Sequence, residues 1–143
     1  MTLLWKAARD QADAARYEIR KFLEAAAKEI PDGALVLDAG AGNCRYRNLF
    51  EGKRYIGTDF CKVPGKGYAG AELITDLCAI SIRNNSIDVI INIQVLEHVP
   101  EPAAMLKEFF RILAPGGMLY LTCPQGWGCM INHMIIIALP IMH

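Results

Sequence analysis

Polar groups stand at the ends of successive apolar runs. Asp38 follows Leu35-Val36-Leu37, Asp59 follows Tyr55-Ile56-Gly57-Thr58, Asp76 follows Leu73-Ile74-Thr75, and Asn92 and Gln94 close the run from Ile87. After Asp38 the chain reads Ala39-Gly40-Ala41-Gly42-Asn43, and its two glycines lack the Cβ atoms that would hold a ligand off the backbone. A buried strand feeding such a turn is how open α/β sheets build a nucleoside site. A carboxylate just past the second strand is acceptor-only and bidentate, suited to both ribose hydroxyls, so Asp59 is the ribose-binding candidate. Asp76 is placed to meet an adenine amino group with Leu77 over the ring, although an aspartate after a strand is also a common turn former.

Glu97 and His98 are the titratable pair nearest that expected cleft. His98 is the candidate general base, a role needed only when an acceptor must lose a proton; ordering of its loop or capping of the next helix is the alternative. Glu97 reads as a structural hydrogen-bonding group. Arg45, Tyr46 and Arg47 either face an anionic substrate or form a solvated helix face, and Cys123 reads as strand packing.

These residues need a frame that alternates strand and helix. Trp5, Ala8, Ala12, Ala15, Ile19, Phe22, Ala26 and Ile30 recur every three or four positions, which predicts one amphipathic helix over 1–30, ended by Pro31-Asp32-Gly33. Its expected place is against the sheet, with a lid over the cleft as the alternative. Strands are expected over 34–38, 54–58 and 72–75, with a turn and short helix over 39–51 and a loop from Cys61 to Gly70. The β-branched run Ile87 to Ile93 reads as a buried central strand. Pro102 suits the first turn of a helix whose core face is Met105, Leu106, Phe109, Phe110 and Leu113. Ala114-Pro115-Gly116-Gly117 stops it before a strand over 118–122. The alternation implies right-handed crossovers and a mostly parallel, doubly wound α/β sheet.

Composition narrows the partners. The 143 residues make one domain, and 15 Lys plus Arg against 15 Asp plus Glu leave no net field to recruit nucleic acid or an anionic membrane. Five scattered cysteines with no zinc-type spacing read as reduced thiols, which with no secretory layout and no membrane-length apolar segment places the protein in the cytoplasm. No metal site is expected.

In their order the segments LVLDAGAGN, YIGTDF, ITDL, SIRNNSIDVIINIQVLEHV and FFRILAPGGMLYLTCP, spanning residues 33–124, resemble the class I S-adenosylmethionine-dependent methyltransferases, in particular the ubiquinone and menaquinone biosynthesis group. The resemblance implies a Rossmann-like fold, S-adenosylmethionine as cofactor and methyl transfer to a small-molecule acceptor. By it Asp38, Gly40 and Gly42 cradle the methionine part and the sulfonium side, Asp59 holds the ribose, Asp76 and Leu77 the adenine, Gln94 reaches the cofactor from the fourth strand, and Ala39 and Phe60 are further cofactor-binding residues. A dinucleotide fingerprint would need a third glycine where Arg45 stands, which disfavours that ligand.

Two departures from the family stand out. The glycine-rich 61–70 segment replaces a regular helix, and past the fifth strand the family continues through a helix and two strands, whereas residues 129–143 are an atypical apolar tail. From Cys129 onward, the last base of each codon read with the first two of the next permits His-Asp-Gln-Pro-His-Asp-Tyr-Tyr-Arg-Phe-Thr, similar to a segment of one methyltransferase subgroup. The expectation is therefore a frameshift near residue 128, to be checked in the genomic DNA. It leaves 31–128 as an incomplete cofactor domain whose fifth strand is an exposed edge open to self-association. A non-catalytic remnant that binds the cofactor or a protein partner is the alternative function. If the tail is native, a short helix or strand docked on the sheet, or a surface anchor, is expected.

Overall fold

The computed structural model describes residues 2–60, 70–124 and 134–140. The element order is α1 (Thr2–Glu29), β1 (Leu35–Ala39), a 3-10 helix (Arg47–Phe50), β2 (Arg54–Asp59), β3 (Leu73–Ile74), β4 (Ile87–Ile93), a second 3-10 helix (Leu96–His98), α2 (Pro102–Ile112), β5 (Leu113–Pro124) and β6 (Met134–Pro140). One sheet runs β3-β2-β1-β4-β5-β6. The first five strands are parallel, as the α/β alternation requires, and β6 is antiparallel to β5.

Side-chain alternation along the strands sends successive residues to opposite faces. On one face Ile19, Leu23, Ala26 and Ile30 of α1 pack with Val36, Phe50, Val89, Ile91 and Tyr120. On the other, Met105, Phe109 and Ile112 of α2 pack with Leu37, Ala39, Ile90, Leu119 and Leu121. The sheet is therefore doubly wound, with α1 packed against it. Asp38 shares the α1 face with Val36, two residues before it.

Three details differ from the sequence reading. Phe110 is 45% exposed, because Met105, Phe109 and Ile112 at spacings of four and three already form the inward stripe of α2. The second strand includes Asp59 itself, and the third is only two residues long. Leu113 is already in the sheet: it pairs with Ile87 and Met118 with Val89, so Ala114–Gly117 bulges out between two paired stretches of β5.

The expected bare edge at β5 is not there. Met118 to Pro124 pair with Pro140 to Met134, so β6 takes up the hydrogen-bonding groups that a second molecule would have sought. The tail thus supplies a strand docked on the sheet. The 61–69 part of the expected loop, Cys61, Cys129 and the proposed break near 128 lie outside the described residues. Among the described residues Cys44, Cys78 and Cys123 are free thiols, and no helix is long and apolar enough to cross a membrane.

Candidate functional site

The strand order reverses direction between β1 and β4, and at such a switch point neighbouring connections leave on opposite faces and open a crevice beyond the strand ends. A cleft of about 350 Å³ lies there. Asp38, Gly40 and Ala41 border it from the end of β1, Ile93 and Gln94 from β4, and Ala15, Arg16 and Ile19 from α1, with Asn43, Arg45 and Tyr46 on the turn between. Its size falls in the range of small-molecule sites.

The turn after β1 is built on its glycines. Gly40 has φ +87°, and a Cβ there would come within 2.4 Å of Val95 Cγ2. Gly42 has φ +55°, and a Cβ there would meet nothing within 4 Å. The amides of this turn are used within the protein. Gly40 and Ala41 both donate to the Thr58 carbonyl, each at 2.9 Å, and Gly42 donates to Asp59 Oδ2 at 2.8 Å. What the turn offers a ligand is therefore open space beside Gly42, with the turn fixed in place by the end of β2. From the other side Asn92 Nδ2 donates to the Ala39 carbonyl at 2.8 Å, tying β1 to β4.

Asp38 is the buried charge-bearing group of the cleft. Desolvation pushes its carboxyl up to about 7, opposed by the hydrogen bond it accepts from the Tyr55 hydroxyl, raised further by Asp59 and lowered by Arg47. Gln94 sits at φ +55°, its amide donating to the Thr122 carbonyl at 3.0 Å and its Nε2 to Thr122 Oγ1 at 3.2 Å, so β5 sets its direction.

Asp38, Gly40 and Gln94 thus share one cleft, Ala39 is fixed beneath it, and Gly42 is bonded to Asp59. The remaining candidates lie outside the cleft lining. Phe60 is exposed. Asp76 Oδ1 accepts the Cys78 amide at 2.9 Å, forming a local turn, and Leu77 is buried in the α2-side core. His98, on the second 3-10 helix, is 79% exposed, with Nε2 4.0 Å from Glu97 Oε1. Arg47 turns away from the cleft to pair with Glu72 and stack over the Tyr55 ring. Among the described residues no His, Cys, Asp or Glu group is arranged to hold a metal ion.

Sequence reasoning missed Tyr55, Arg16 and Ile19. Ile19 belongs to a stripe that reads as core packing, Arg16 is one of the charges between the members of that stripe and pairs with Asp13, and Tyr55 gains its role only from strand register. The pairing Val36 with Tyr55 sets its ring one step diagonally from Asp38.

The chain matches the family described as "Methyltransferase domain" over residues 37–121. It is 30% identical over 102 residues to an uncharacterized methyltransferase of Mycobacteroides abscessus, covering 63% of this chain and 39% of that protein. A Mycolicibacterium smegmatis protein named "Probable S-adenosylmethionine-dependent methyltransferase" is 30% identical over 100 residues, covering 65% of this chain and 39% of its own length. The fold is similar to that of a SAM dependent methyltransferase from Aquifex aeolicus, with TM-score 0.58 and 23% identity over 71% of this chain and 63% of the other. The chain spans about two fifths of the length of the two curated relatives.

Proposed function

This chain belongs to the methyltransferase domain family, and from that premise we propose that it binds S-adenosylmethionine at the β1/β4 crevice and directs its methyl group to a small-molecule acceptor. The observation that carries the reading is the convergence of Asp38, Gly40 and Gln94 on one cleft at the switch point. The residues fit the group: a buried acid suits an ammonium, and the space beside Gly42 is what a side chain would otherwise fill. In this assignment Asp38, Ala39, Gly40 and Gly42 hold the methionine part, Asp59 and Phe60 the ribose, Asp76 and Leu77 the adenine, and Gln94 the cofactor from the β4 side.

Bound S-adenosylmethionine supplies a methyl group on a positively charged sulfur, a good leaving group, for in-line displacement by the acceptor. The protein's part is then chiefly orientation, an effect that reaches ~7–11 kcal/mol in well-aligned cases. His98, directly past β4, is the residue assigned to take a proton from acceptors that must lose one.

Calorimetric titration with S-adenosylhomocysteine, followed by methyl transfer to a panel of small-molecule acceptors, tests the reading. Saturable one-to-one binding and transfer are expected. Absence of binding by the folded protein would overturn it, and binding without transfer to any acceptor would reduce it to cofactor binding.

A further inference from the structure

Tyr55 is held more tightly than a strand residue needs to be. Its ring lies against Phe50 at a centroid distance of 5.9 Å and under the Arg47 guanidinium, whose Cζ is 4.5 Å from the ring centre. Arg47 is itself fixed by Glu72 and by the Gly70 carbonyl. Clamped on both sides, the phenol reaches diagonally across the β1–β2 pair and donates to Asp38 Oδ2. Asp38 is buried and borders the cleft.

We propose that Tyr55 is a positioning residue for ligand binding: its hydroxyl orients the Asp38 carboxylate in the cleft and favours the ionised form that receives the ammonium of the methionine part. The proposal rests on the cofactor reading above. Burial, and then the Asp38 carboxylate, push the Tyr55 phenol far above its usual range, so it stays a donor at any working pH. Burial, and after it the Asp59 carboxylate, drive Asp38 toward the protonated form, and the Tyr55 bond, with Arg47 after it, opposes them. The other groups facing the pair are Asp59 at the end of β2, Arg47 on the 3-10 helix, Tyr46 and Arg45 on the turn, Arg16 on α1, and Cys44 beside Tyr55. Only Tyr55 touches Asp38 through a hydrogen bond among the described side chains.

The test measures S-adenosylhomocysteine affinity from pH 5.5 to 8.5 for the full chain, Tyr55→Phe and Asp38→Asn, with carboxyl carbon NMR titration of Asp38 in the ligand-free proteins. Phenylalanine keeps both ring contacts and removes only the donor. Wild-type affinity is expected to fall as pH drops through about 7. Tyr55→Phe is expected to lose about threefold at pH 7 and about fivefold toward pH 5.5, the worth of one ordinary hydrogen bond, to recover toward wild type at pH 8.5, and to titrate Asp38 at higher pH. Asp38→Asn loses the acid limb. An equal loss at every pH, or an unmoved Asp38 midpoint, overturns the proposal. If the folded wild type binds nothing, the cofactor reading fails, while the ligand-free titration still decides whether Tyr55 governs Asp38. Should Tyr55→Phe not fold, 3-fluorotyrosine at position 55, a stronger donor of nearly the same shape, is expected to move the Asp38 midpoint down, and no movement overturns the proposal.

Discussion

Gly40 and Gly42 need glycine for different reasons, and the difference is measurable. At Gly40 a methyl group adds the strain of φ +87° to a collision with Val95, so Gly40→Ala is expected to destabilise the fold by ~2–5 kcal/mol. At Gly42 the strain stands alone and should cost about 1–2 kcal/mol, while the new methyl group enters the space assigned to the ligand and weakens binding. Urea denaturation beside S-adenosylhomocysteine titration checks both, and equal stability losses would contradict the assignment. Asp38 carries a cost of another kind. Its folded value, up to about 7 from the ordinary 3.8, means that between those values the folded state keeps a proton that the unfolded chain releases. Its influence on stability is therefore harmless below about pH 4 and increasingly unfavourable as pH rises through 7. Asp38→Asn should stabilise the protein at pH 8 by on the order of 2–4 kcal/mol, the gain vanishing near pH 4; thermal melts across that range measure it, and a pH-independent difference would refute it. Asp38, the glycines and Gln94 were legible in the sequence because strand ends and turn residues announce themselves locally. Tyr55 was not, because its partner lies 17 residues away and is chosen by register.

Between residue and fold, the short β3 depends on one side chain. The Glu72 amide donates to the Gly57 carbonyl at 2.9 Å, and Glu72 Oε2 accepts the Gly57 amide at 2.7 Å, so this residue doubles back on β2 just before the two-residue strand. Arg47 pairs with Glu72, but both side chains are more than a third exposed, and screening leaves such an ion pair little net worth. The acceptor matters more than the charge. Glu72→Gln retains an acceptor for Gly57 and is expected to cost less than about 1 kcal/mol, whereas Glu72→Ala leaves that amide without it and should cost about 1–3 kcal/mol. Chemical denaturation distinguishes them, and equal losses would show that the ion pair dominates. Long elements with strong periodicity, α1, β1, β4 and α2, could be read from sequence nearly to their ends. The β3 segment could not, since two residues carry no periodic signal and their short backbone pairing with β2 lies next to a hydrogen bond to the Glu72 side chain that no local pattern announces. Phe110 was misread for a related reason: apolar character marks a helix face only within about a turn, and the spacing of Met105, Phe109 and Ile112 decides which phenylalanine points inward.

At the scale of the whole molecule, the sheet separates binding from edge protection. The candidate site lies between β1 and β4, whereas β6 stands beyond β5 and runs antiparallel to it over seven register positions. Sequence reasoning left β5 bare because an Ile- and Met-rich tail has neither the alternation of a half-buried strand nor turn signals to place it. Strand pairing needs neither: an edge with unpaired amides accepts an extended apolar segment of the same chain as readily as one from another molecule. Ending the chain after Pro124 should therefore uncover β5, and light scattering behind size-exclusion chromatography is expected to show dimers and larger species where the full chain gives fewer. Because β5 lies between β6 and the crevice, S-adenosylhomocysteine affinity in the fraction that stays monomeric should remain within about threefold, equivalent to less than ~0.7 kcal/mol. Abolished binding in that monomer would make the tail part of the site, and an unchanged size distribution would show that β6 does not guard the edge.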